Sequence, residues 1–442
     1  MLSIRPSLQL PFALGAISLF LLPLVVSPSP IFGQEVERIT RENRRHIEGD
    51  EVLLMGGWGP HLRSILSSPG GDVWFVHDAG HDVLNNAGLR YRRRIDGQWI
   101  AAGSIDFVPP LKIQQNLAHV LIGTVIHSYG VDRPRRRLVE CTFNTLSAGT
   151  ASCADVEVNG QPLKLEANTN YIGAALSPDG YPVVWWSKTR LPGEASGKLF
   201  HLWRFSDRWN GPVETPVRIG EQTYANLAYA RPAFAGRNRL ELLGELEEGE
   251  LHRTVQVTIR IAPDYPTAEL SLVGPAERTF AAEDLWVDRR GGLHAITAAI
   301  SPANSGFYFY RAPGEAWRFV QALPGLTVAR FQESSFDAVL YLLADESGRL
   351  VLRSRSIDGH SGPLDFDGFA HRVVPWPFTP ALSQPNAIYS MSRAYQTRDV
   401  HGLHFGLVGD SPAADDQVFY LHGPLVTLEA IASSPAAATA AE

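Results

Sequence analysis

The chain has 442 residues, with 39 Lys and Arg against 46 Asp and Glu, a formal net charge of −7. That balance gives no support to nucleic-acid binding, because a phosphate backbone demands a basic face. Hydrophobic content of 45% and charged content of 19% exclude a disordered chain and fit a globular one.

The N-terminus predicts an export signal. Arg5 precedes the apolar run Leu8–Val26, Ser27-Pro28-Ser29-Pro30 breaks it, and cleavage is expected after Gly33. An uncleaved membrane anchor is the alternative, but Pro11 and Pro23 interrupt the run. The expected product is secreted or periplasmic, with no membrane span after signal cleavage. Residues 34–50 form a charged leader, 51–431 the folded body and 432–442 a low-complexity tail expected to be disordered.

The segment from Asn168 to Pro212 shows how the body is built. Asn170–Leu176, Tyr181–Ser187, Leu199–Phe205 and a run from Trp209 read as four short strands. Ser177-Pro178-Asp179-Gly180, a polar loop Lys188–Lys198 and Ser206-Asp207-Arg208 separate them, and such residues supply the backbone angles of antiparallel turns. Similar units open at His61, Asn116, Asn170, Asn226, Asp284, Arg330 and Asn386, about 54 residues apart on average, a period typical of propellers and solenoids. Continuous apolar second strands such as Val73–Val76 and Ala338–Leu343 predict burial on both faces.

The fold expected is therefore all-β: a seven-bladed β-propeller of four-stranded antiparallel blades, with six or eight blades as alternatives. Closure is expected from Glu51–Gly57 beside Val418–His422, or from Leu425–Ala430 completing the last blade by itself. Cys141 and Cys153 follow the export signal and flank a turn-rich segment, so a disulfide across one hairpin is expected, with two unpaired thiols as the alternative. No metal site is expected from two thiols at this spacing, and no cofactor is expected.

Candidate ligand-binding positions lie where second-to-third strand loops and blade connections meet. The opening residues, among them His61, Asn116, Asn170 and Asn226, form one set; Asn there either binds a ligand or caps its own loop. His77, with Asp78, His81 and Asp82, forms the sharpest local cluster, and His127 takes a matching place in the next unit. His77 and His81 could also hold a metal, although a loop lacks the fixed spacing that zinc requires. Lys112, Arg133, Arg135, Arg136, Lys188 and Arg190 form a local basic set suited to a carboxylate or sulfate, the competing reading being solvated loops. Tyr171 and Tyr229 stand beside two opening strands and could stack on a sugar or pack as core aromatics.

Ser177-Pro178-Asp179-Gly180 before Pro182-Val183-Val184-Trp185-Trp186, followed by Leu199–Trp209, resembles the sialidase-like propellers built from bacterial neuraminidase repeats. The resemblance spans roughly residues 55–425 and implies a propeller acting on glycans. Propeller-fold polysaccharide lyases are the nearer analogue in chemistry. By that analogy His77, His127 and Tyr171 would serve as base and acid, and Arg190 would neutralise a uronate of an anionic polysaccharide. A non-enzymatic, lectin-like or protein-interaction scaffold is the alternative function.

Overall fold

Strand Pro182–Lys188 is buried at every position because both of its faces meet a neighbouring sheet. Trp185 packs with Leu199, Leu240 and Val257 on one side. Trp186 packs with Tyr129, Leu138 and Leu202 on the other. Each indole withdraws roughly 200 Å² from water, about 5 kcal/mol of gross transfer free energy. The same two-sided burial recurs between later sheets, where Leu243 meets Ala295 and Phe309, and Trp286 meets Phe331 and Leu342.

The computed structural model describes residues 65–67, 72–78, 88–99, 103–146, 149–249, 251–261, 266–275, 280–299, 305–334, 338–347, 349–374, 388–393, 403–409, 417–423 and 427–430. All lie in the compact unit Glu35–Glu442. The signal, the leader, the tail, Glu51–Gly57, His61, His81 and Asn386 fall outside the described residues.

Among the described residues there is no α-helix; one 3-10 turn, Phe366–Gly368, is the single helical element. The described strands form six large sheets, here numbered I to VI, together with two small hairpins. Sheets II to VI are four-stranded antiparallel meanders over residues 169–216, 226–272, 280–324, 326–373 and 388–430. Sheet I, over residues 65–155, has nine strands and contains two meanders.

Six sheets stand where the repeat predicts seven separate blades. The cause is a parallel pairing between outer strands Gly103–Val108 and Thr150–Asp155, with Asp106 opposite Thr150 and Val108 opposite Ser152. Repeat spacing carries no information about such lateral pairing.

First strands of successive units pack side by side, for example Thr169–Leu176 against both Ile113–Ile122 and Asn226–Phe234. Ile65–Ser67 meets Leu403–Gly409 of sheet VI, and Arg94 Nη2 lies 3.3 Å from His422 Nε2. These contacts join sheets I and VI and make the arrangement a β-propeller. Sheet VI is completed by its own last strand, Thr427–Ala430, paired with Gln417–Gly423. That is the second of the two closures expected.

Turn chemistry follows the sequence closely. Ser177 Oγ accepts from Tyr181 N at 2.9 Å, and Gly180 takes φ 85°, which closes the first hairpin of sheet II. Cys141 and Cys153 face each other on adjacent strands and are disulfide-bonded, with a Cα–Cα separation of 4.0 Å.

Candidate functional site

The inner strands of sheets II and III share an irregularity that places the candidate site. In sheet II, Asn170 pairs with Ser187 and Gly173 with Trp185, so Tyr171 and Ile172 together oppose Trp186. In sheet III, Ala228 pairs with Glu245 and Arg231 with Leu243, so Tyr229 and Ala230 together oppose Gly244. Each is a β-bulge, and the extra residue re-aims a side chain. Tyr171 and Tyr229 both take φ 51° and meet with ring centroids 5.0 Å apart, edge to face. Gly244 makes room for this bulge, because a Cβ there would come within 3.0 Å of Ala228 O.

The second strand of sheet III supplies carboxylates beside the pair. Glu245 and Glu247 are two residues apart in a strand and therefore share a face. Asn226 is buried, and its Nδ2 donates to Glu247 Oε2 at 2.9 Å. Glu245 Oε1 accepts from Ala282 N of sheet IV at 3.1 Å, and its Oε2 lies 3.8 Å from His252 Nδ1.

Burial pushes the Glu247 carboxyl above the usual range, and the like charge of Glu245 adds to the effect. The His252 imidazole is raised by its hydrogen bond to Glu245 and by the field of both carboxylates. Burial raises Tyr229 to about 12 and raises Tyr171 further, and the two hydroxyls are hydrogen-bonded to each other. Both phenols therefore keep their protons near neutral pH. They can donate hydrogen bonds, but neither is suited to remove a proton from carbon.

Three of the six basic residues expected to receive an anion, Lys188, Arg190 and Arg135, are engaged by carboxylates. Lys188 is 1% exposed and sits between Glu166 Oε2, at 2.6 Å, and Glu194. Arg190 Nη2 binds Glu248 Oε1 at 2.5 Å. Arg135 binds Asp132 and Asp155, while Arg133 and Lys112 are exposed. Asn170 Nδ2 donates to Thr189 Oγ1 at 3.1 Å and to Asn168 O at 3.3 Å, the local capping role open to it.

His127 lies elsewhere. It belongs to Val125–Asp132, and the loop end of that strand is at Asp132, five residues on and about 16 Å away. Its Nδ1 is 2.6 Å from Glu140 Oε1, a carboxylate shared with Tyr129 and Arg204. The structure thus gathers Tyr171, Asn170, Asn226, Lys188 and Arg190 at one end of sheets II and III, and it does not bring His127 to them. His77 lies in Val73–Asp78 and Asn116 in Ile113–Ile122; their side chains are outside the described residues. Among the described residues no group of three His, Cys, Asp or Glu is placed to hold a metal ion.

Two opening residues prove to be inter-sheet clamps. Asp284 is fully buried and its Oδ2 accepts from Phe331 N at 2.8 Å. Arg330, also buried, donates through Nη1 to Glu283 O at 2.8 Å and Glu283 Oε2 at 2.9 Å.

Glu245 and Glu247 are the site residues that sequence reasoning overlooks. Their signal is the alternation Glu245-Leu246-Glu247, which puts two carboxylates on one face of the strand. Pairing Asn170 with Asn226 by sequence is also two positions out of step. The bulges align Tyr171 with Tyr229.

No family model matches the chain, and no curated protein matches it. Solved structures do. One is an ulvan lyase of polysaccharide lyase family PL25 bound to -[GlcA(1-4)Rha3S]-; its TM-score is 0.52 at 10% identity, covering 83% of this chain and 94% of that chain. Another structure of a PL25 ulvan lyase gives 0.52 at 9% identity, with 82% and 92% covered. A puromycin hydrolase complexed with PGG gives 0.50 at 12% identity, covering 84% of this chain and 53% of that one. At these identities the likeness establishes a shared β-propeller fold.

Proposed function

We propose that this chain is an exported, glycan-binding β-propeller whose ligand sits at the Tyr171–Tyr229 pair. The observation that carries the reading is that pair itself: two partly exposed phenols, re-aimed by matching bulges, beside Asn226 and Glu247. Aromatic rings with an adjacent amide and carboxylate suit a sugar, which offers an apolar ring face and hydroxyls to bond. The ulvan lyase structure is a propeller solved with a saccharide, which supports the class of ligand by analogy of fold alone. The sialidase-like resemblance points the same way.

Export is supported by the N-terminal sequence and by the disulfide, a bond that persists in oxidising compartments. No helix among the described residues is long and apolar enough to cross a membrane.

The base-and-acid pairing of His127 with Tyr171 that the lyase analogy calls for is not supported by their placement. Tyr171 can give a proton to a leaving oxygen but does not accept one, and His127 stands at the other end of its sheet. A panel of neutral, anionic and amino polysaccharides, measured by titration calorimetry and by ultraviolet absorbance of unsaturated products, tests the reading. Binding that Tyr229→Ala abolishes, without unsaturated product, is the expected result. Absence of binding across the panel would refute it, and product formation would favour the lyase alternative.

A further inference from the structure

Lys112, Arg133, Arg136 and Lys164 are gathered on one rim of sheet I, next to sheet II. Lys112 precedes strand Ile113–Ile122, and Arg133 and Arg136 lie in the loop between Val125–Asp132 and Arg137–Asn144. Lys164 belongs to the connection that leads into sheet II. The backbone holds the three segments together. Arg133 N donates to Lys112 O at 2.9 Å, and Leu165 N donates to Arg136 O at 2.7 Å. Lys164 is bridged to Arg137. All four residues are exposed, and among the described residues none of them makes an ion pair. The neighbouring carboxylates are already engaged, Asp132 by Arg135 and Asp155 by Arg135 and Arg137. Glu166 is paired with Lys188 and Lys198, which leaves Glu157 as the exposed acid of the adjoining hairpin. The chain as a whole carries a net charge of −7, so this concentration of unpaired positive charge runs against its overall balance.

We infer that this rim binds the acid groups, sulfate esters or carboxylates, of an anionic polysaccharide. The inference rests on the glycan-binding reading and adds a second contact region to it. Arg can hold such a group bidentately, and Lys adds a point charge. The rim adjoins the tyrosine pair through the chain itself. Lys164 precedes Tyr171 by seven residues, at most about 25 Å of extended chain, and Thr169 between them opens the inner strand of sheet II. The carboxyl groups of Glu245 and Glu247 disfavour an acid group at the rings. One polysaccharide chain would therefore place its acid groups on the rim and an uncharged part on Tyr171 and Tyr229. Export, which belongs to the same reading, favours an extracellular polysaccharide over nucleic acid as the polyanion.

Titration calorimetry on the full chain at low salt tests this with dextran sulfate, polygalacturonate, neutral dextran and phosphatidylserine–phosphatidylcholine vesicles. One of the two anionic polymers should bind at least about tenfold tighter than dextran, and added salt should weaken it. Arg133→Gln/Arg136→Asn should cost about tenfold of that affinity. Asn suits the φ of 49° at Arg136. Lys112→Gln/Lys164→Gln is the second variant should the first fail to fold by circular dichroism. Arg208→Gln/Arg237→Gln removes the same charge from exposed turns at the other end of sheets II and III and should leave affinity unchanged. Equal affinity for charged and neutral polymers, or equal losses in the rim and control variants, would overturn the inference. Binding to vesicles alone, or to none of the four probes, would also overturn it. Tyr229→Ala separates the two readings. Binding lost in Tyr229→Ala but kept in the rim variants would overturn the rim and leave the tyrosine site standing. The reverse would support the rim and overturn the tyrosine site.

Discussion

Tyr171 and Tyr229 occupy the same bulge position on neighbouring inner strands, with the same φ of 51° and with their rings 5.0 Å apart. Neither residue is near the other in sequence, and neither bulge alone makes a site. The pair exists because two sheets repeat one irregularity and then pack side by side. Left-handed backbone at a bulky residue is uncommon, and such outliers cluster where structure around them over-determines the conformation.

The backbone conformation at Tyr229 should be visible in a comparison of substitutions. Tyr229→Asn and Tyr229→Val both remove the ring, but a β-branched residue is far less tolerant of positive φ than Asn. Tyr229→Val should therefore be less stable than Tyr229→Asn by about 1–2 kcal/mol in chemical denaturation. Equal stabilities would argue against the bulge conformation.

The Cys141–Cys153 bond closes a short loop, with a sequence separation of 12. The chain-entropy model assigns such a loop roughly 2–3 kcal/mol. Reductant should lower the denaturation midpoint of the native chain and leave the Cys141→Ser/Cys153→Ser double variant unchanged. A response of the double variant to reductant would mean that something other than this bond is being measured.

His201 should make stability fall in mild acid. It is 0% exposed, stacks near Trp203, and neither ring nitrogen has a partner. Burial lowers its pKa from 6.5 to about 4. The unfolded chain therefore binds a proton that the folded chain refuses between those values. The contribution is whole above pH 6.5 and is lost as pH falls through 4, about 3 kcal/mol in all. His201→Phe should flatten this part of the stability profile, measured as the difference from the native chain at each pH. Parallel profiles would refute it.

Arg330 and Glu283 form a buried pair between sheets V and IV, and burial raises the Glu283 carboxyl. Arg330→Met leaves that carboxyl without its cation and should cost about 3–5 kcal/mol. Adding Glu283→Leu should restore part of the loss, because the uncompensated charge is then gone. Additive losses in a double-mutant cycle would show that the two side chains do not act as a pair.

The strands, turns and disulfide of this protein were legible in its sequence. Ser177–Gly180 is a turn because Ser, Pro, Asp and Gly each favour one locally. Pro182–Lys188 is a doubly buried strand because Pro182–Trp186 are apolar without alternation. Cys141 and Cys153 pair because a hairpin brings neighbours together. All of these depend on residues close in the chain. Tertiary structure alone decided the rest: the fusion of two meanders into sheet I, the balancing of Lys188 and Arg190 by Glu194 and Glu248, the separation of His127 from Tyr171, and the meeting of Tyr171 with Tyr229. Each depends on strand register or on packing between sheets. A one-residue bulge changes which side chains face each other without altering the hydrophobic pattern that the sequence displays.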